Sequence, residues 1–306
     1  MFKFMLLMGL IFVLSGCNSS KKNSVVNQGG QTTGISCPDE FVVVKGNSTF
    51  NTSDFCIMKY EAKCQETNTS NFCSPTGGAY DVTKVAVSDP DGAPWTDINP
   101  IEAKSACQAL GAKYDLISND EWMTLARDAE AQSANWFSGV VGSGCIYQGN
   151  VTRNGDCTYN SGIGVDFGLT RNSKAKLVLQ NNSEIYDFVG NVNEWVDWVS
   201  GGSFDHAPSS CPLMGNVNIY VWTCADVSLN SYMPGNPANI SDYGSIHGNG
   251  LGKEFGSSTT LQGAAYRGGS YYSATGYGFA GLFALGLNYD DSTAMFQTGF
   301  RCVYRP

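Results

Sequence analysis

The sequence predicts a loop-rich α+β domain with two helices and small antiparallel sheets, and three observations lead there. Two short runs of branched and aromatic residues near the start read as strands, and two later segments carry complete helix-start signals. Two long stretches dominated by glycine, serine and asparagine carry neither pattern.

The strands are Phe41-Val-Val-Val-Lys and Phe55-Cys-Ile-Met-Lys-Tyr-Glu, separated by the polar turn Gly46-Asn-Ser. A first helix is expected over about 100–110, with Asn99 as N-cap, Pro100 at the first helical position and Gly111 as the stop. Ile101, Ala103, Ala106, Cys107 and Leu110 would form its apolar face. The second helix starts after Ser118, where Ser118-Asn-Asp-Glu121 is a capping box and Trp122, Leu125 and Ala126 supply the buried side. Beyond Asp128 its signal fades. Residues 135–170 and 201–263 read as irregular; loops of that length in an ordered domain are functional or stapled, and both contain close cysteine pairs.

Residues 1–16 combine one lysine, Lys3, with an apolar run too short to span a bilayer, the pattern of a secretory signal. Leu14-Ser-Gly-Cys17 resembles a bacterial lipobox, which makes Cys17 the lipidation site and the membrane a partner through that lipid. Asn18 is not the aspartate that retains lipoproteins at the inner membrane, so the expected location is the cell envelope, lipid-anchored at the outer membrane. Residues 17–36 are polar and read as a flexible linker, and 37–306 as one domain. Loss of Lys3 would make the formal charge of -9 more negative still, and no basic run is present, which excludes nucleic acid as a partner.

With Cys17 set aside, ten cysteines remain, an even number suited to disulfides outside the cytoplasm. Short spacings make Cys64 with Cys73, Cys145 with Cys157 and Cys211 with Cys224 reasonable local pairs, leaving Cys37 with Cys56 as a further one. Zinc would need a closer ligand spacing than these cysteines and the two histidines, His206 and His247, provide.

Three motifs add a resemblance. Tyr186-Asp-Phe-Val-Gly-Asn-Val-Asn-Glu-Trp195, Arg267-Gly-Gly-Ser-Tyr-Tyr272 and Thr298-Gly-Phe-Arg-Cys302 resemble signatures of the formylglycine-generating enzyme family, and Leu116-Ile-Ser-Asn-Asp-Glu-Trp122 resembles that family's second-helix start. The resemblance implies a C-type-lectin-like fold over the whole domain, and with it a bridge between Cys107 on the first helix and Cys302 on the last strand. Closing a loop of about 200 residues is worth roughly 5 kcal/mol as an upper figure. It also implies calcium, held through the Asp187 side chain, the Gly190 and Val192 carbonyls and the Glu194 carboxylate, hard oxygen donors of the kind that ion requires.

The family's copper chemistry rests on two cysteines after Arg-Gly-Gly-Ser, at positions that hold Ser273 and Gly278 here. Neither supplies a thiolate for soft Cu(I), and two histidines cannot build an iron cluster, so no copper or iron is expected. Hydrolase chemistry finds no Gly-x-Ser-x-Gly elbow, and the adjacent Asp290 and Asp291 read as a solvated loop rather than a facing acid and base. The chain is therefore expected not to be an enzyme.

The segment from Ala280 to Asn288, followed by Thr298-Gly-Phe-Arg-Cys302, resembles the variable region of diversity-generating retroelement target proteins. That resemblance implies a ligand-binding face of Tyr272, Ser273, Thr275, Tyr277, Gly286, Tyr289, Asp290, Asp291 and Ser292, over a buried framework of alternating Leu282, Ala284, Leu285 and Leu287. Tyrosine supplies amphipathic contact area at low entropy cost, while Ser, Gly and Asp supply adaptable hydrogen bonding. The expected function is adhesin-like recognition of a protein or glycan on another cell or surface. The alternatives are a cofactor-dependent oxidase of the formylglycine-generating family with a displaced site, and an envelope scaffold.

Overall fold

A computed structural model of the chain describes residues 34–73, 77–152, 154–197, 213–214, 220–222, 254–256, 263–273 and 280–306. The segment 1–16, Cys17 and most of the linker, Cys211 and Cys224, Thr275, Tyr277 and Gly278 lie outside the described residues.

β1 (Phe41–Val44) and β2 (Phe55–Met58) pair antiparallel, and Asn47 accepts a bond from Thr49 N in the turn between them. β17 (Cys302–Tyr304) lies beside β2, and β5 (Tyr114–Leu116) completes the antiparallel order β1-β2-β17-β5. The last described strand is thus built into the sheet that the first one starts. β3 (Ala62–Glu66) and β4 (Lys84–Ser88) form a separate hairpin.

α1 spans Pro100–Gln108, with both arms of the Asn99/Glu102 capping box in place. Gly111 follows at φ +138, a conformation that favours glycine. Ala103, Ala106 and Cys107 are buried but Ile101 is 57% exposed, contrary to the expected apolar face. Ile101 is two residues from Ala103, more than half a helical turn around, which turns it to the solvent side. α2 spans Asn119–Glu130 behind the Ser118/Glu121 capping box and runs past Asp128 because Ala129 still reaches the core.

The large sheet has the order β11-β12-β13-β15-β14-β10-β16. Its strands are β10 (Asn193–Val196), β11 (Leu213–Met214), β12 (Tyr220–Trp222), β13 (Glu254–Gly256), β14 (Gly263–Gly268), β15 (Gly281–Asp290) and β16 (Thr298–Phe300). Most pairs are antiparallel, but β10 with β16 and β13 with β15 run parallel. The expected alternation along β15 is absent: Leu282, Phe283, Ala284 and Leu285 are all buried, because the strand is central and covered on both faces. Within 135–170 the structure adds a short parallel pair, β6 (Gly149–Asn150) with β7 (Thr158–Tyr159); β8 (Lys176–Val178) and β9 (Glu184–Tyr186) form an antiparallel one.

Two apolar clusters result. One gathers around α2, where Trp122 stacks on Phe188 at 3.9 Å and donates from Nε1 to the Leu282 carbonyl at 2.8 Å. The other joins α1 to Trp95, Ile98, Trp195 and Phe300. Disulfides link Cys37 to Cys56, Cys64 to Cys73, Cys145 to Cys157, and Cys107 on α1 to Cys302 on β17. Among the described residues no helix is long and apolar enough to cross a membrane.

Candidate functional site

Arg267 is fully buried and points its guanidinium at the start of α2 and at β15: Nε and Nη2 donate to Asn119 Oδ1 at 2.8 and 2.6 Å, and Nη1 to the Phe283 carbonyl at 3.3 Å. Gly268 follows at φ +84, where a Cβ would come within 2.9 Å of the Phe188 carbonyl. The chain then makes a tight turn. Ser270 N donates to Ser273 Oγ at 2.9 Å, Ser273 N to the Ser270 carbonyl at 2.8 Å, and Tyr271 N to the Asn191 carbonyl at 2.8 Å. Thr152 Oγ1 donates to the Ser273 carbonyl at 3.0 Å, fastening the turn to a neighbouring loop.

This turn lifts Tyr272 out of the surface, where it is 68% exposed. Its ring stands edge-on to Tyr271 at 6.4 Å and to Phe296 at 6.5 Å, and Phe296 is itself 55% exposed. Three aromatic rings thereby form one patch. Tyr271 is the partly buried member, and its phenol is pushed up by burial and by the neighbouring Tyr272 and Asp97. Phe296 lies outside the residue set expected from the sequence, because it sits in a loop whose approach to the 270–273 turn has no local signal.

The other expected positions divide. Ser273 is half-buried and its hydroxyl closes the turn. Gly286, expected on the recognition face, is instead buried: a Cβ there would fall 2.0 Å from the Tyr266 ring, so the glycine is needed for close packing. Tyr289 is half-buried, with its ring 5.8 Å from Tyr266. Asp290 spends one oxygen on Ser292 N, Ser292 Oγ and Thr293 Oγ1 at 3.0, 2.6 and 2.9 Å, and the two hydroxyls hold its carboxyl below the usual range. Asp291 and Ser292 are exposed.

Residues 187–194 form a different kind of site. Asp187 and Asn191 adopt positive φ, and at Gly190 (φ +80) a Cβ would lie 2.4 Å from the Gln148 carbonyl. Asp187 is fully buried and accepts from Arg171 Nε at 2.8 Å through Oδ2. Glu194 accepts from Arg301 Nε through both oxygens, at 2.8 and 3.0 Å. Arg301 also donates to the carbonyls of Met58, Lys59 and Tyr186. Glu61, on no expected list, accepts from Asn191 Nδ2 at 2.7 Å and Val192 N at 3.1 Å, with Lys63 Nζ 3.8 Å away.

Electrostatics follow from burial. Desolvation pushes Glu61 up to about 8 and Glu194 up to about 7, with Arg301 pulling against it in both cases, and raises Asp187 against the pull of Arg171. Desolvation also pushes Lys63 down to about 8. Lys63 Nζ, Arg171 Nη2 and Asp187 Oδ1 are buried and find no hydrogen-bond partner among the described residues. Both carboxylates of the ligand set expected for calcium, Asp187 and Glu194, are engaged by arginines, Arg171 and Arg301. Among the described residues, no group of three or more His, Cys, Asp or Glu side chains is placed to hold a metal ion.

No protein-family model and no curated protein matches the chain. Among solved structures it is similar, at fold level, to Treponema denticola variable protein 1, with 14% identity, a TM-score of 0.39 and coverage of 86% of this chain and 91% of that one. It is likewise similar to CarF, with 14% identity, a TM-score of 0.38 and coverage of 87% and 93%.

Proposed function

We propose that this protein is a recognition protein, without oxidase chemistry, that docks a protein or glycan ligand reversibly on the aromatic patch of Tyr272, Tyr271 and Phe296. In this reading lipid on Cys17 and the linker 17–36 present the domain from the cell envelope. The single observation behind it is the exposure of Tyr272 on a turn, 270–273, whose backbone N–H groups are all hydrogen-bonded. A rigid turn carrying a large amphipathic ring loses little entropy on binding, and such a ring stacks equally on sugar faces and on peptide side chains. Ser273 supports the lack of oxidase chemistry, since its hydroxyl is already the acceptor that closes the turn.

The test compares the purified protein with a Tyr272→Ala/Phe296→Ala variant, and with a Tyr272→Ala/Tyr277→Ala/Tyr289→Ala variant, on glycan arrays and on intact cells. Binding by the native protein that falls at least tenfold in the first variant, at unchanged melting temperature, is the expected outcome. Equal binding by all three would place recognition elsewhere. The glycan array separates a sugar ligand from a protein one.

A further inference from the structure

We propose that Arg171 and Lys63 are built-in cations for the Asp187 to Glu194 turn, so that the turn folds without a metal ion and takes an ordered water at its remaining polar atoms. Three observations converge on this. Among the described residues, the fully buried charged side chains of this cluster are three carboxylates, Glu61, Asp187 and Glu194, and three cations, Lys63, Arg171 and Arg301. A calcium site gathers an excess of negative oxygen, and this group has none even with every carboxylate ionised. Asp166 approaches from the partly exposed rim, 3.9 Å from Arg171 Nη1, and is occupied by the Tyr159 hydroxyl at 2.7 Å.

The carboxylate oxygens are also already used. Both oxygens of Glu194, both of Glu61 and Oδ2 of Asp187 accept hydrogen bonds, which leaves Asp187 Oδ1. That oxygen is joined in the cluster by Lys63 Nζ and Arg171 Nη2, two donors on positive groups that also find no partner among the described residues. One acceptor and two cationic donors repel a divalent ion. In number and kind they match a water molecule, which accepts two bonds and donates one, and buried waters make about three such bonds.

The experiment is thermal unfolding of the purified full chain in EDTA and in millimolar calcium chloride, alongside Arg171→Gln and Arg171→Lys. The native protein is expected to melt within about 1 °C in the two buffers, whereas a site at hundredfold ligand excess would shift it by several degrees. Arg171→Gln is expected to lower the melting temperature by roughly 5–10 °C, since it leaves Asp187 buried and uncompensated. Arg171→Lys, which keeps the charge, recovers part of that loss. A native protein stabilised by calcium or destabilised by EDTA overturns the proposal, as does Arg171→Lys losing as much as Arg171→Gln. If Arg171→Gln does not fold, calcium titration calorimetry of the native protein decides: absence of heat up to millimolar calcium supports the proposal, and saturable binding in the micromolar range overturns it.

Discussion

The 187–194 turn and the 270–273 turn sit next to each other, joined by the bond from Tyr271 N to the Asn191 carbonyl, and they use their polar atoms in opposite ways. Both follow or contain a positive-φ glycine, and both belong to motifs legible in the sequence. In the first, Arg171 and Arg301 reach in from elsewhere to the carboxylates, and Glu61 accepts from Asn191 and Val192; in the second, hydrogen bonds hold the backbone and the Tyr272 ring is left to solvent. Residue type alone therefore does not mark a site. What decides is whether distant segments supply partners for the side chains.

The contrast breaks most severely where both turns lose their shared frame. Cys107→Ser/Cys302→Ser opens a 195-residue loop. It is expected to cost up to roughly 5 kcal/mol in denaturant unfolding, with loss of both turns. Arg301→Leu attacks the buried turn alone and should cost about 3–5 kcal/mol, because Glu194 is left as an unpaired buried charge. Adding Glu194→Leu should return much of that loss, and a double variant no better than the single one would show that the carbonyl bonds, rather than the charge pair, hold the turn.

A smaller effect lies in pH. Burial and Asp187 raise Glu61 to about 8 against its ordinary 4.5, with Glu194 adding to the push and Lys63 and Arg301 opposing it. The folded protein thus holds a proton over an interval in which the unfolded chain has released it, so this contribution to stability is full below about pH 4.5 and lost as pH rises through about 8. Glu61→Gln, which cannot ionise, should gain on the native protein across that interval when melting temperatures are compared pH by pH. A constant offset would refute the assignment. Least of all should stability respond to Tyr272→Ala, which is expected to stay within about 0.5 kcal/mol of the native protein as a surface change. The same substitution should weaken ligand binding, which sharpens the division between the two turns.

What the sequence makes legible is what chemistry makes local. Asn99 with Glu102 and Ser118 with Glu121 cap their helices as expected, since each box spans only three residues. The Cys64–Cys73 and Cys145–Cys157 bridges follow from short spacing, and Cys107–Cys302 from the family resemblance. Phe296 beside Tyr272, Arg171 on Asp187 and Glu61 on Asn191 are pairings across 16 to 130 residues, set by tertiary packing and carrying no periodic signal. Gly286 shows the same limit from the other side. A small residue in a tyrosine-rich segment reads as surface adaptability, whereas here it makes room for the Tyr266 ring.

The Cys107–Cys302 bridge has one more consequence. It turns everything from the first helix to the last strand into a covalent ring, with β17 held between β2 and β5. A protease that cuts once anywhere inside that ring produces two polypeptides that stay joined, and the nicked molecule would migrate as a single species until a reductant is added. A clipped loop therefore need not mean a lost fragment.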